Sequence, residues 1–240
     1  NSFCTLLEVH PHKKMADNDA NMSEPDLDFD EPLGSAQGVV AFSNIDDYYF
    51  SGEKAHTYGV YTGFKYQCVE YARRWLVHAL GVTFQDVHMA YHIFEVPRLI
   101  RVSDQASLPI VRVRNGTSVT KYPEAMPRLG TILIWHEGGF FRHTGHVAIV
   151  VEATDEYVRV AEQNVTDAKW PGNYARELRV ERDAEGGYSI CEQYSRSHLL
   201  GWLQMPEDVH REQEARHQAA TERDAADAHV PSRTPQGGAA

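Results

Sequence analysis

Cysteine is scarce in this chain: three residues in 240, at positions 4, 68 and 191. Thiols so far apart make neither the paired framework of a disulfide-stapled domain nor the close ligand pairs of a zinc knuckle. A reducing, cytoplasmic setting is the expectation that follows, and there a thiol with suitable neighbours stays a nucleophile. Basic charge is also short, with 23 Lys and Arg against 34 Asp and Glu, a net of -11. Nucleic-acid binding needs basic surface to displace counterions from phosphates, so this balance argues against it. No apolar run reaches the roughly 18 residues of a membrane span. Asn1 to Lys14 lacks the charged-then-apolar order of a signal segment, and the chain opens without Met, as a cut or incomplete chain would.

What is present suits a globular domain. Hydrophobic residues make up 42% and charged ones 24%, an ordinary balance for a chain long enough to bury a sizeable core. Polarity is concentrated at the two ends. Residues 1–33, with Asp17-Asn-Asp19 and the acidic run from Glu24 to Pro32, read as a flexible arm. Residues 206–240 alternate charges, carry many alanines and end rich in Pro and Gly. A solvated helix could form there, but no broad apolar face is available to dock it, and the segment reads as a disordered tail. The folded unit is therefore expected over 34–205, without internal repeats.

Inside that unit the period changes once. Cys68, Tyr71, Ala72, Trp75, Leu76 and Ala79 recur at helical spacing, and Gly81 supplies the left-handed cap that ends the helix. A second helix is expected over Asp86 to Arg98, with Met89, Ala90, Ile93 and Phe94 inward. Strand patterns follow at Ile110 to Arg114 and at Thr131 to Trp135. His146 to Glu152 and Tyr157 to Gln163 then form a hairpin across Ala153 to Glu156. Helices first and antiparallel strands afterwards predict an α+β fold.

Three positions carry chemistry. Cys68 heads the first helix, where unpaired N–H groups and the macrodipole favour a thiolate; such placement beside a histidine generally lowers a thiol from about 8.5 to between about 3.5 and 7.5. A small buried core residue would fit the same stripe. His146 is one of 13 histidines and opens a strand, as a surface histidine also could; its functional reading is the general base that later protonates a leaving amine. With an odd-numbered hairpin loop it shares a sheet face with Glu162 and opposes Asn164, and a slip of one residue undoes that alignment. Glu162 would then accept the imidazole N–H and fix its orientation, or else stand as a solvated carboxylate. Gln67 could donate to a developing oxyanion beside the Cys68 backbone N–H, or cap the helix. A metal alternative, His136-Glu137 with His143-x-x-His146, does not have metalloprotease spacing, and the intervening Gly138-Gly139 suits a turn, so neither a metal nor another cofactor is expected.

Tyr66-Gln-Cys-Val-Glu-Tyr-Ala-Arg-Arg74, Thr144-Gly-His-Val-Ala-Ile149 and Ala161-Glu-Gln-Asn-Val165, in that order, resemble the signatures of CHAP-type cysteine amidases. Among these, they are similar to the amidase domain of glutathionylspermidine and trypanothione synthetase/amidases. The likeness covers about residues 33 to 205, and Tyr66 departs from it where many relatives carry tryptophan. It implies a papain-like fold with Cys68 as nucleophile, His146 as base and Glu162 as orienting acid. It also implies hydrolysis of the amide between the glutathione glycyl carboxylate and a polyamine, a small-molecule substrate. Arg73 matches a family arginine associated with access and binding at the active site; by itself it reads as a solvated helix-face charge. Asn164 and Gln67 are grouped with it as binding residues. No residues are left for an ATP-dependent ligase domain, so a complete chain of this kind would break the bond without making it. Two other readings stand beside this one: a CHAP-type peptidoglycan peptide hydrolase, and a non-catalytic binding module.

Overall fold

The strand patterns in the second half of the chain all enter one sheet. The computed structural model describes residues 27–46, 48–212 and 215; Cys4, most of the acidic arm and most of the charged tail lie outside the described residues. In chain order the first elements are β1 (Pro32–Ala36), β2 (Val39–Phe42), β3 (Lys54–Thr57), β4 (Val60–Phe64) and α1 (Cys68–Trp75). There follow β5 (Val82–Thr83), β6 (Leu99–Arg101), β7 (Ser107–Leu108), β8 (Val111–Arg114) and β9 (Ile132–Trp135). The last are β10 (His146–Ala153), β11 (Tyr157–Ala161), β12 (Arg176–Arg182), β13 (Tyr188–Ile190) and β14 (Leu199–Gln204). Seven strands are ordered β13-β12-β11-β10-β9-β14-β8, each antiparallel to its neighbours. With α1 packed against β4 and β10, the class is α+β, as expected.

The core explains the order. Leu133, Trp135, Ala148, Val150, Val158, Val160, Leu178 and Trp202 form one buried apolar cluster. They alternate along their strands because successive side chains point to opposite faces. His146 to Val150 are buried without alternation, as in a strand covered on both faces, so the end of β10 that carries His146 is held from two sides.

The first helix matches its pattern only in part. Tyr71, Ala72, Trp75 and Leu76 are buried, and Gly81 sits at φ 67 as the cap. Residues Leu76–Leu80 form a π-helical turn, whose wider spacing brings Leu80 inward where an α-helix would place Ala79. The expected second helix is only a 3-10 segment at Ala90–Glu95. Tertiary bonds take the groups an α-helix needs there. The Ala90 N–H donates to the Thr144 carbonyl at 2.9 Å, and the Arg112 guanidinium donates to the carbonyls of Phe94 and Val96.

At the chain's ends, β1 begins at Pro32, inside the stretch expected to be an arm. The chain divides after Pro206 into two compact units, and in the second residues 207–212 are helical.

Candidate active site

Cys68 is the first residue of α1, preceded by Gln67 in extended conformation (φ -83, ψ 158). No side chain caps this helix start, so the first-turn N–H groups stay directed at whatever lies beside the thiol. Asn44 holds the approach to the helix. Its Oδ1 accepts from the Tyr66 N–H at 3.1 Å and from Gln67 Nε2 at 3.4 Å, and its Nδ2 donates to the Tyr49 carbonyl at 2.8 Å and to Asn164 Oδ1 at 3.2 Å. Cys68 is half-buried and a free thiol. Cys191 is buried, away from the cleft lining.

His146 opens β10 opposite Trp135, and its ring stacks on Phe141 at 4.8 Å. Gly145 makes the turn into the strand. It sits at φ 64, and a Cβ there would come within 2.5 Å of the Trp135 carbonyl oxygen, so the entry to His146 tolerates no side chain. His146 Nε2 meets Glu162 Oε2 at 2.8 Å, with exposures of 1% and 3% for the two residues. Cys68 also acts on this imidazole, and the two residues line one cleft.

A β-bulge sets this pairing. Near the loop, Ala153 pairs with Val158 and Glu152 with Arg159; past the shift between Val150 and Glu152, Val150 pairs with Val160 and Ile149 with Ala161. Continued without the bulge, the outer register would put Glu162 on the face away from His146. The inserted residue brings both side chains to one face.

Arg176, on β12, completes the cluster. Val160 pairs with Arg176 across the two strands, so Arg176 shares a face with Glu162. Its Nε donates to Glu162 Oε1 and its Nη2 to Oε2 at 2.8 Å. Burial pushes the Glu162 carboxyl up, but the Arg176 charge and bonds, with His146, overcome it and hold it at about 2. Burial likewise pulls the His146 imidazole down, yet Cys68 and Glu162 leave it above its ordinary value. The charged form of each group is therefore favoured by its neighbour.

The carboxylate shift has a consequence for stability. Glu162 titrates lower in the folded protein, about 2, than the ordinary 4.5. Its contribution is then present above about pH 4.5 and lost as pH falls toward 2, on the order of a few kcal/mol. Denaturant melts should show wild-type stability falling more steeply over that window than Glu162→Gln stability. Equal slopes would remove the linkage.

The other expected residues separate. Gln67 lines the same cleft as Cys68 and His146, and so does Asn164; Asn164 Nδ2 donates to Gln67 Oε1 at 3.0 Å. The Gln67 amide itself donates to the Tyr49 carbonyl at 3.2 Å. Arg73 does not line the cleft. Its side chain is 6% exposed and pairs at 3.1 Å with Asp86, which does line it and is 68% exposed. Of the histidines weighed as metal ligands, His136 turns its Nδ1 to the Glu137 carbonyl at 2.8 Å.

A second buried network joins the helix to the Glu162 segment. Glu70 accepts from Arg74 Nε at 2.7 Å, and Gln163 accepts from Arg74 Nη2 at 3.1 Å while donating to Glu70 at 3.3 Å. Neighbours of the thiol and of the carboxylate are thus bonded directly to each other. Only a pattern in space, not a spacing in sequence, reveals it.

The cleft that holds Cys68 and His146 measures about 700 Å³, a size that suits a small molecule. Residues 58–164 match the family described as CHAP domain. Trypanothione synthetase of Crithidia fasciculata is 35% identical over 183 residues, covering 73% of this chain and 27% of that protein. Bifunctional glutathionylspermidine synthetase/amidase of Escherichia coli (strain K12) is 36% identical over 193 residues, 77% of this chain and 30% of that protein. The chain thus spans less than a third of the length of either relative. The α+β arrangement, with a cysteine at the head of a helix on an antiparallel sheet, is the papain-like form expected of a CHAP domain. The CHAP match includes Cys68, His146 and Glu162 and ends before Arg176.

Proposed function

We propose that this protein is a thiol amidase that hydrolyses the glycyl amide of glutathionylspermidine or trypanothione, releasing glutathione and polyamine. The observation that carries the reading is the buried His146–Glu162 pair at 2.8 Å, with Cys68 lining the same cleft and acting on the same imidazole. Cys68 Sγ attacks the amide carbonyl carbon as the thiol proton passes to His146 Nδ1. The Cys68 backbone N–H, free of an intrahelical partner, stabilises the oxyanion. Gln67 joins it by giving up its long contact with Asn44. Collapse breaks the C–N bond, and the Nδ1 proton leaves on the polyamine nitrogen. A thioester remains on Cys68. Water then attacks it, its proton going to His146, and glutathione departs as the thiol returns. Glu162 holds the ring through both steps.

The substrate class draws on the relatives whose names carry glutathionylspermidine and trypanothione. The cleft adds charges of both signs, Asp86 and Arg142, suited to a conjugate with a cationic amine and free carboxylates. Arg73 acts in this reading by holding Asp86. Among the described residues no helix is long and apolar enough to cross a membrane. We place the reaction in the cytoplasm, where reducing conditions keep Cys68 a thiol.

Mass spectrometry of purified protein incubated with glutathionylspermidine, trypanothione and muropeptides tests the substrate. Release of glutathione and spermidine is expected, at a rate unchanged by chelator. Muropeptide cleavage beside inert conjugates would move the assignment to cell-wall hydrolysis. Inactivation by chelator, restored by zinc, would move the chemistry to His136, His143 and His146. No turnover of any substrate, with Cys68 still open to alkylation, would favour a binding module.

A further inference from the structure

We propose that Arg176 is a positioning residue of this site, fixing Glu162 as an oriented carboxylate so that Glu162 in turn sets the His146 ring; the proposal rests on the Cys68–His146–Glu162 reading above. A carboxyl with 3% exposure in an apolar sheet would by burial alone take up a proton. A protonated Glu162 is a poor acceptor for the imidazole N–H and carries no charge to favour imidazolium. Arg176 prevents this by meeting both carboxylate oxygens through Nε and Nη2, a fork that fixes the carboxylate plane as well as its charge. Oε2 keeps a lone pair directed at His146.

Arg176 is itself held so that it cannot swing away. Its side chain is 9% exposed, its Nη1 donates to Gln193 Oε1 at 3.2 Å, and its guanidinium lies over the rings of Trp135 at 5.5 Å and Tyr194 at 5.0 Å. The other titratable groups facing the pair are His146 from β10, Cys68 and Tyr71 from α1, and Glu192 and Tyr194 from the segment after β13. Glu192 is occupied with the Trp135 indole N–H at 3.1 Å and the Leu199 N–H. It does not compete for the fork. A lysine in place of Arg176 would restore a charge but not two parallel bonds.

The test is a double-mutant cycle of Arg176→Gln, Glu162→Gln and the double variant, with Arg176→Lys beside it. The first readout is the rate of Cys68 alkylation by iodoacetamide against pH, which needs no substrate and so survives failure of the proposed reaction. The second is kcat/KM for glutathionylspermidine. Arg176→Gln should slow alkylation at mildly acidic pH and lower kcat/KM about 10–100-fold, the scale on which outer partners of an active residue act. Arg176→Lys should recover part of the loss. In the Glu162→Gln background, removing Arg176 should change neither rate by more than about twofold. The double variant buries no unpaired charge and Arg176→Lys keeps one opposite Glu162, so if either single glutamine variant fails to fold, a rate loss in Arg176→Lys still supports the proposal and wild-type rates in Arg176→Lys overturn it. Equal losses in both backgrounds, or faster alkylation in Arg176→Gln, would overturn the proposal.

Discussion

Replacing Cys68 by alanine is expected to abolish amide hydrolysis and leave the fold intact. On the proposed mechanism Cys68 has no substitute: no other free cysteine occurs among the described residues, and without a thioester the amide must be attacked by water directly. Removing the nucleophile of a triad generally costs on the order of 10⁶-fold in kcat. The position tolerates the change because Cys68 is half-buried at a helix start, where its sulfur faces the cleft rather than the core. The check is kcat on glutathionylspermidine together with a thermal melt. A folded Cys68→Ala protein with ordinary turnover would remove the nucleophile assignment and the mechanism with it.

His146→Ala is the second large effect. On the proposed mechanism His146 activates the thiol and protonates the leaving amine, so its loss should lower the rate by about 10²–10⁴-fold or more. The fold should survive, because Glu162 keeps its two bonds to Arg176 after the imidazole is gone. Buried, it still faces a partner charge rather than none. The stack on Phe141 is lost, and some stability with it. Rate measurements and melts on the same preparation separate the two effects. A normal rate in His146→Ala would show that another base serves Cys68.

What could be read in advance was set by neighbours along the chain. The helix beginning at Cys68 follows from residues three and four apart, and its end from a glycine able to take positive φ. The hairpin that carries His146 follows from two strand-forming runs and a short polar loop. The helix expected over Asp86 to Arg98 shows the limit of that logic. Its periodicity was present, but Thr144 and Arg112 took its backbone groups, and only Ala90–Glu95 kept helical form.

The residues themselves settled the α+β class, the helix that carries Cys68 and the chain order of thiol, imidazole and carboxylate, because periodicity, capping and turn chemistry act over a few positions. Tertiary structure decided how those groups meet. The bulge between Val150 and Glu152 shifts the register by one residue and so chooses the face on which Glu162 lies. Arg73, on the same helix as Cys68, was taken by Asp86 behind the cleft lining. Arg176 reached Glu162 from the next strand, a partnership without any local signal. Register, burial and the pairing of charges depend on contacts between distant segments, and those exist only once the sheet has closed around them.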